Sequence, residues 1–233
     1  MGVYSGRKMI VCMNKIEAIL SALEKEYGKS ILNPSRDPLA ELVRTILSQN
    51  TSDKNSKPAF SSLAVHLKSW DDLLKIETDE LAMIIKQGGL GKVKARRIQQ
   101  ALSAIKQKRD NLSLDFLAEM PLDKARDWLK DLPGVGEKTA SCILLFAFGK
   151  PALPVDTHVY RLSNRLGLLE PAIRPDQASR LLESIVPSEK VHEFHVLLIS
   201  HGRKVCKARH PACRTCVLQS VCPSAPRFLV DSD

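Results

Sequence analysis

Apolar side chains along this chain recur at intervals of three and four residues, the spacing of one face of an α-helix. Five large apolar or aromatic side chains from Ile16 to Tyr27 lie on one face of a helix that is predicted to begin after Asn14. A second helix is predicted from Asp37, an N-cap followed by a first-turn proline, to Leu47. No segment alternates apolar and polar residues as a half-buried strand does, and no segment repeats. The sequence therefore predicts an all-α protein.

The same periodicity predicts helices through the rest of the chain. Most are short, and polar or glycine-rich residues mark their ends. The predicted segments are 53–68, 70–76, 79–87, 95–105, 122–131, 140–148, 157–166, 176–185 and 191–200.

The stretch LPGVGEKTA, residues 132–140, joins two of these helices. Pro133 cannot continue the incoming helix, and Gly134 and Gly136 can adopt backbone conformations that other residues avoid. We therefore predict a tight hairpin whose glycines expose backbone N–H groups beside the start of the next helix. Such N–H groups, together with the positive end of the helix dipole, form a site for an anion the size of a phosphate. An ordinary turn between two helices is the alternative.

The charge balance favours a polyanionic partner. The 233 residues contain 35 Lys and Arg against 26 Asp and Glu, which gives a formal net charge of +9. Two long stretches lack acidic residues: 81–109, with eight Lys or Arg, and 194–230, with six. The length suits one large domain or two small ones. No apolar run has the length of a membrane span and the first thirteen residues show no clear cleavage site, so we expect neither a membrane anchor nor a signal peptide.

The first acid-free stretch contains a glycine-rich segment, GGLGKVK. Gly89 and Gly91 allow a backbone to approach a phosphate closely, and Lys92 and Lys94 supply the positive charge that holds it. Leu90 is an apolar residue at the centre of this segment, and such a side chain can wedge into a stack of bases. A solvated basic face is the alternative interpretation.

Two polar segments lie at the ends of predicted helices. Pro151 and Pro154 impose an extended approach to the sequence VDTHVYR, in which Asp156 occupies the position of a helix N-cap. Capping alone would explain an aspartate there. The cluster SQNTSD, residues 48–53, follows the second helix and is predicted to be a capped turn.

Four of the six cysteines, Cys206, Cys213, Cys216 and Cys222, lie within one short basic segment. Their spacing, C-x6-C-x2-C-x5-C, provides four thiolates for one tetrahedral zinc or for a [4Fe–4S] cluster, and spacing alone favours neither. The neighbouring Lys and Arg residues favour the thiolate form. Two disulfides would apply to a secreted protein instead. Cys142 lies on an apolar helix face and is expected in the core.

Taken together, these motifs resemble those of the endonuclease III family of base-excision DNA glycosylases. The resemblance covers roughly residues 37–222. It rests on LPGVGEKTA (132–140), VDTHVYRLSNR (155–165), HGRKVCKARHPACRTC (201–216) and the final Cys222, in this order and spacing. The hairpin with its flanking helices, about 122–148, matches the family's helix-hairpin-helix.

The resemblance implies a helical fold in two parts with a DNA cleft between them. Residues 31–150 would form a six-helix barrel that carries the helix-hairpin-helix. Residues 1–30 and 151–233 would form a helical iron–sulfur domain. The cysteine spacing is the one with which this family binds a [4Fe–4S] cluster, so the resemblance favours the cluster over zinc.

The resemblance also implies an active site. In this family the hairpin lysine, here Lys138, attacks C1′ of the damaged nucleotide, and the aspartate that matches Asp156 assists. Leu90 and either Gln49 or Asn50 would fill the gap left by the flipped base. We therefore expect a bifunctional DNA glycosylase and AP lyase. It would cleave the N-glycosidic bond of an oxidised pyrimidine through a lysine Schiff base and nick the strand by β-elimination.

One departure from the family leaves two questions open. Bacterial members commonly read Ser-Ala-Gln-Ala-Thr-Asp where this chain reads SQNTSD at 48–53, which leaves open both the gap-filling residue and the preferred base.

Related adenine glycosylases lack the hairpin lysine and mismatch thymine glycosylases usually carry tyrosine there, so Lys138 favours the bifunctional enzyme. A monofunctional uracil or mismatched-thymine glycosylase and a non-catalytic DNA-binding module are the alternatives. The expected partner is double-stranded DNA with a damaged base or abasic site. The protein is expected to be a monomer in the prokaryotic cytoplasm, associated with the nucleoid.

Overall fold

The computed structural model describes residues 6–35 and 37–229, with the side chains of residues 6–10 and of Asp53 outside the description. This part of the chain is helical, and no strand occurs in it, which confirms the predicted all-α class. Its α-helices are α1 (Gly6–Tyr27), α2 (Pro38–Ser48), α3 (Asp53–His66), α4 (Asp72–Lys75), α5 (Thr78–Ile84), α6 (Gly91–Arg109), α7 (Leu122–Lys130), α8 (Glu137–Phe148), α9 (Thr157–Arg165), α10 (Pro175–Glu183), α11 (Val191–Lys204) and α12 (Ala225–Leu229).

Three of the predicted helix starts were at least three residues too late in the chain, including that of α8, which begins at Glu137 and not at Ala140. Asn14 lies inside α1, because the eight residues before it contain no proline and continue the helix back to Gly6. α6 begins at Gly91. The glycine-rich segment is therefore shorter than predicted, and Lys92 and Lys94 are helical residues. The cap predicted for α2 is confirmed, since the Asp37 side chain accepts a hydrogen bond of 2.9 Å from the backbone N–H of Ala40.

The chain divides into two compact units. The continuous unit spans residues 34–150 and contains α2 to α8, whereas the discontinuous unit joins residues 1–33 to residues 151–233. The barrel and the iron–sulfur domain assigned to these regions remain predictions.

The core of the continuous unit is built around α8. Eight of its twelve residues are buried, including Cys142 as predicted, so this helix is enclosed on most of its circumference. α2 packs against α8 through a fully apolar face with Leu42, Val43, Ile46 and Leu47 at zero exposure. Just before α2, the backbone N–H of Ser35 donates to the carbonyl of Phe146, in the last turn of α8, at 2.8 Å.

An ion-paired network joins α7 to the start of α8. The Glu137 carboxylate lies 2.8 Å from Nζ of Lys130 and 3.4 Å from Nε of Arg126, whose side chain is fully buried. A buried guanidinium is tolerated only with such partners. These contacts hold α7 and α8, the two helices on either side of the hairpin, together.

The discontinuous unit is organised around α11, against which both α1 and α9 pack. Gly202 permits the closest approach, because a Cβ there would lie 2.9 Å from Nδ1 of His158. Phe194 and Leu198 on the same helix are completely buried. The helix that follows Asp156 is thereby held against the segment that leads into the cysteines.

Candidate functional site

The hairpin forms as predicted, with apolar anchors on its inner side. Leu132 and Val135 are buried, and the N–H of Val135 donates to the carbonyl of Leu132 at 3.1 Å. Gly134 has φ +77°, and its side of the turn faces the stem of Arg97, which a Cβ would approach to 3.4 Å. Gly136 differs from the expectation, because its φ of −97° is open to any residue and no atom lies within 4 Å of where its Cβ would be. The glycine at 136 leaves open space rather than a special backbone angle.

Lys138 lies in the first turn of α8, directly after the hairpin, and is half-buried. Glu41 of α2 belongs to the same electrostatic environment. Burial raises the pKa of the Glu41 carboxyl, and the positive charges of Arg44 and Lys138 partly offset that rise. Lys138 is thus presented by a helix whose remaining residues form the core of its unit.

The structure brings Gln49 to the hairpin. Its side-chain amide donates to the carbonyl of Gly134 at 3.2 Å and to Oγ1 of Thr139 at 3.4 Å, while its Oε1 accepts from Arg97 at 2.7 Å. Asn50, the next residue, is exposed and has φ +53°. The two gap-filling candidates therefore differ: Gln49 is hydrogen-bonded to the turn of the hairpin, whereas Asn50 is exposed.

Leu90, like Asn50, lies in a turn and has a left-handed backbone conformation. It has φ +54°, a left-handed conformation that is rare for a residue with a Cβ, and its side chain is 56% exposed. Gly89 before it also has a positive φ, of +68°. Gly91 after it must lack a Cβ, which would lie 2.8 Å from the carbonyl oxygen of Ala82. Exposure and backbone strain together single out Leu90 as a functional candidate.

The two lysines after this turn have different environments. Lys92 is exposed and pairs with Asp79 at 2.9 Å. Lys94 is only 1% exposed, and its ammonium donates to the carbonyls of Leu47 at 2.6 Å and of Gly88 at 2.7 Å. Burial lowers its pKa. The prediction that Lys94 contacts a phosphate is therefore not supported by its position, because the helix that begins at Gly91 turns this side chain inward.

Asp156 is the N-cap of α9, as its position in the sequence predicted. Its Oδ1 accepts hydrogen bonds from the backbone N–H groups of His158 at 2.9 Å and Val159 at 2.8 Å. Both bonds end on the same oxygen, so capping engages one side of the carboxylate. Lys138 belongs to the continuous unit and Asp156 to the discontinuous one.

Two arginines of α9, one helical turn apart, hold the segment that contains the first cysteine. Arg161 donates to the carbonyls of Gly202 and Cys206 at 3.0 and 2.9 Å. Arg165 donates to the carbonyl of Lys207 at 2.8 Å and approaches the Cys206 sulfur at 3.2 Å. The helix capped by Asp156 thereby fixes the start of the cysteine loop.

The four clustered cysteines line a single cavity with Arg165, Pro211 and Phe228, and none of the four is in a disulfide. Desolvation raises the pKa of Cys213 and of Cys216, and the other cysteines of the group add to that rise. His201 is buried beside them. Its Nδ1 lies 2.9 Å from the Tyr27 hydroxyl and its Nε2 lies 3.3 Å from the Cys216 sulfur. Burial lowers its pKa to about 4.

This cavity offers the four thiolates that a [4Fe–4S] cluster requires. Among the described residues, no three His, Cys, Asp or Glu side chains converge closely enough to hold one metal ion. A tetrahedral zinc draws its four sulfurs to about 2.3 Å from one centre. In a [4Fe–4S] cluster each cysteine binds a separate iron, so the four sulfurs surround a wider space. The four cysteines around this cavity supply one thiolate for each iron of such a cluster.

Comparison with known proteins settles the family. A profile of the HhH-GPD superfamily of base excision DNA repair proteins matches residues 43–188. The endonuclease III of Sulfolobus acidocaldarius is 36% identical over 202 residues, which cover 85% of this chain and 88% of that protein. This chain belongs to the endonuclease III family. The endonuclease III of Escherichia coli strain K12 is 32% identical over 185 residues, 79% of this chain and 83% of that protein.

Solved structures agree with this assignment. A trapped endonuclease III–DNA covalent intermediate matches with a TM-score of 0.79 at 31% identity, over 93% of this chain and 98% of that one. A thermostable thymine-DNA glycosylase matches with a TM-score of 0.75 at 25% identity, over 92% of this chain and 98% of that one. The endonuclease III-family protein described here is a DNA glycosylase with the predicted two-part helical fold. In the described part of its chain, no helix combines the length and the apolar character needed to cross a membrane.

Several residues that support this endonuclease III-family site were not found from the sequence. Arg97, which holds Gln49, was counted only as part of a basic stretch. Arg161 and Arg165 lie inside the VDTHVYRLSNR motif, and their spacing of four residues was a signal that both face one neighbour. His201 opens the motif that carries the cysteines, but nothing in its spacing distinguishes it from a solvent-exposed residue.

The contrasting positions of Lys92 and Lys94 generate a prediction about salt dependence. Each phosphate that a lysine neutralises releases counterions, so log Kd varies with log salt in proportion to the number of such contacts. We expect Lys92→Ala to reduce this slope for undamaged duplex by up to about one unit. The measurement is a fluorescence-anisotropy titration at several salt concentrations.

Lys75→Ala is the matched control for Lys92→Ala, because it removes an exposed lysine that lies outside both acid-free stretches. It should leave the slope unchanged. An unchanged slope in Lys92→Ala as well would show that Lys92 belongs to a solvated face that does not contact DNA.

Proposed function

We propose that this protein is a bifunctional DNA glycosylase and AP lyase that removes an oxidised pyrimidine from duplex DNA. The observation that carries the proposal is Lys138, an amine in the first turn of a buried helix, directly after a hairpin with exposed backbone N–H groups. A glycosylase that activates only water has no need of an amine there. A lysine at this point supplies the nucleophile that a Schiff-base mechanism requires.

The lysine must lose its proton before it can attack. A free amine with a pKa of about 10.4 is neutral in only about one molecule in a thousand near pH 7.4. Lowering that pKa by three units destabilises the ammonium by about 4 kcal/mol. In general, the positive end of a helix dipole and the removal of water favour a neutral amine, whereas an ionised carboxylate nearby favours the ammonium.

The chemical steps follow from the amine. Its lone pair forms a bond to C1′ while the C1′–N bond to the base breaks, and the departing base takes up a proton. Ring opening and loss of a proton from nitrogen give a Schiff base between Lys138 and C1′. This imine acidifies the 2′ proton, and its removal expels the 3′ phosphate by β-elimination. Water then hydrolyses the imine and returns Lys138.

We assign charge stabilisation to Asp156. Positive charge develops on the sugar as the base departs, and a carboxylate stabilises that charge. Capping of α9 supports this role, because two backbone N–H groups hold the carboxylate through Oδ1 and so restrict rotation of the Asp156 side chain. The same cap gives Asp156 a structural role, and the two roles are compatible.

We assign gap filling to Leu90 and Asn50. A target base must leave the stack before its sugar can react, and side chains inserted into the vacated space stabilise the open duplex. Both residues are exposed at left-handed turns of the continuous unit. We assign the polar gap-filling role to Asn50 and not to Gln49, because the amide of Gln49 is hydrogen-bonded to the hairpin and to Arg97. The N–H groups around Gly134 and Gly136 would hold a backbone phosphate.

We propose that Cys206, Cys213, Cys216 and Cys222 hold a [4Fe–4S] cluster. Such a cluster supplies four strong metal–thiolate bonds that fold a loop otherwise poor in apolar contacts. Arg165 and His201 orient two of the ligand sulfurs by direct contact. No step of the proposed reaction passes through this group.

A monofunctional glycosylase for mismatched thymine or uracil is the second candidate. The likeness to a thermostable thymine-DNA glycosylase favours it. A panel of duplexes, each with one lesion, decides between the two when the products are separated with and without alkali. Nicking without alkali supports the bifunctional enzyme, whereas nicking only after alkali supports the second candidate.

The first prediction concerns the nucleophile. Borohydride reduces a Schiff base to a stable amine, so the wild-type protein should form a covalent adduct with DNA that contains a thymine glycol or an abasic site. Lys138→Gln retains a polar side chain but has no amine, so adduct and nicking should both disappear while duplex affinity persists. Full trapping in Lys138→Gln would assign the chemistry to another amine and overturn the proposed role.

A second prediction separates the two roles of Asp156. Asn caps a helix nearly as well as Asp, so Asp156→Asn should keep the thermal midpoint within about 2 °C of wild type. Its loss of charge should slow base excision by about 100-fold or more, as the removal of other transition-state charges does. Cleavage at a preformed abasic site should fall less, because no base has to depart. Unchanged excision would leave Asp156 as a helix cap alone.

The cysteines generate a third prediction. Protein made with iron available should be yellow-brown and contain about four irons per chain. Cys213→Ser should lose this colour and much of the helicity of the discontinuous unit, whereas Cys142→Ser, in the core of the other unit, should keep the iron. Stoichiometric zinc without iron would contradict the assignment.

A further inference from the structure

The ammonium of Lys94 is a buried charged group in the continuous unit. Its side chain is 1% exposed, and its Nζ donates to the carbonyl oxygens of Leu47 at 2.6 Å and Gly88 at 2.7 Å. A buried charge is costly unless hydrogen bonds compensate it. Here two backbone carbonyls do so, and the charge faces the protein interior instead of a ligand.

Each of these carbonyls stands at the base of an exposed turn. Leu47 lies in the last turn of α2, three residues before Asn50, and Gly88 lies two residues before Leu90. Asn50 and Leu90 have nearly the same left-handed backbone, with φ of +53° and +54°. A residue with a side chain keeps such a conformation only where the surrounding structure enforces it.

The local chemistry explains why one lysine serves both turns. The carbonyls of the last helical turn have no intrahelical partner, and the negative end of the α2 dipole favours a cation beside Leu47. Gly88 permits the approach from the other side, since a Cβ there would already lie 3.3 Å from Ala59 and 3.9 Å from the Leu47 oxygen. An ammonium has three donors in a compact group, so it can bridge two acceptors from different segments.

We propose that Lys94 is a positioning residue that fixes the Asn50 turn and the Leu90 turn relative to each other, so that both side chains enter an opened duplex together. This inference rests on the gap-filling role assigned to the two turns under the proposed function. It gives a buried lysine on α6 control over base flipping, although its side chain contacts no DNA.

The test uses Lys94→Met, which keeps the unbranched stem but has no donor. The substrate is a duplex with one thymine glycol beside a 2-aminopurine, whose fluorescence rises when its neighbour leaves the stack. Fluorescence is read in a Lys138→Gln background, where no chemistry follows. The expected results are a fluorescence rise several-fold smaller than that of Lys138→Gln alone and, with Lys138 present, single-turnover excision about tenfold slower. Cleavage at a preformed abasic site, which needs little unstacking, should change by no more than about twofold.

Two comparisons distinguish positioning from a general loss of stability. Ile105→Val removes a methyl group from the fully buried face of the same helix and should leave the ratio of excision to abasic-site cleavage at its wild-type value. In a double-mutant cycle, Leu90→Ala combined with Lys94→Met should slow excision scarcely more than the slower single variant, since one side chain acts through the other. If Lys94→Met does not fold, Lys94→Gln, which keeps an amide donor but is too short to reach both carbonyls, takes its place and should show the same selective loss.

Equal losses in excision and abasic-site cleavage, or fully multiplicative effects in the cycle, would overturn the inference and leave the proposed function intact. A wild-type protein that neither nicks these substrates nor forms a Schiff base with them would overturn the proposed function and this inference with it.

Discussion

The burial of α8 is the constraint on which the rest of the continuous unit depends. This helix is enclosed on most of its circumference, so its first turn cannot tilt or rotate without disturbing the whole core. The hairpin is therefore carried by a rigid support, and Leu132 and Val135 fasten it from below. A lysine on that first turn has its backbone position fixed by packing, which suits the nucleophilic role proposed for Lys138.

Polar contacts then connect the exposed turns to this support. Gln49 links the end of α2 to the hairpin, Arg97 holds Gln49, and Lys94 links the end of α2 to the Leu90 turn. All of these groups belong to one unit, and each uses a side chain to satisfy a backbone carbonyl or an amide. The result is a set of exposed turns held by side-chain hydrogen bonds, of which the bond from Lys94 to Leu47 is buried.

Much of this arrangement was predictable because the signals were local. The all-α class followed from apolar spacing, the Asp37 and Asp156 caps from residue type and position, and the hairpin from one proline and two glycines. The phosphate contact predicted for Lys94 is not supported, because its side chain is buried and not exposed as the charge pattern suggested. Whether a lysine faces solvent depends on where its helix begins, and at its start α6 passes so close to Ala82 that a Cβ at Gly91 would lie 2.8 Å from the Ala82 carbonyl oxygen. Such a steric requirement lies in tertiary structure and leaves no trace in the order of residues.

The division of the chain has a consequence for how the protein folds during synthesis. α1 leaves the ribosome first, but its packing partner α11 begins more than 160 residues later, at Val191. The continuous unit, residues 34–150, is complete before that partner exists and can fold as soon as it emerges. The apolar face of α1 must therefore stay exposed to solvent or chaperones throughout that interval. Shortening the chain at its carboxyl end would leave a folded continuous unit attached to an amino-terminal helix whose apolar face has lost its packing partner.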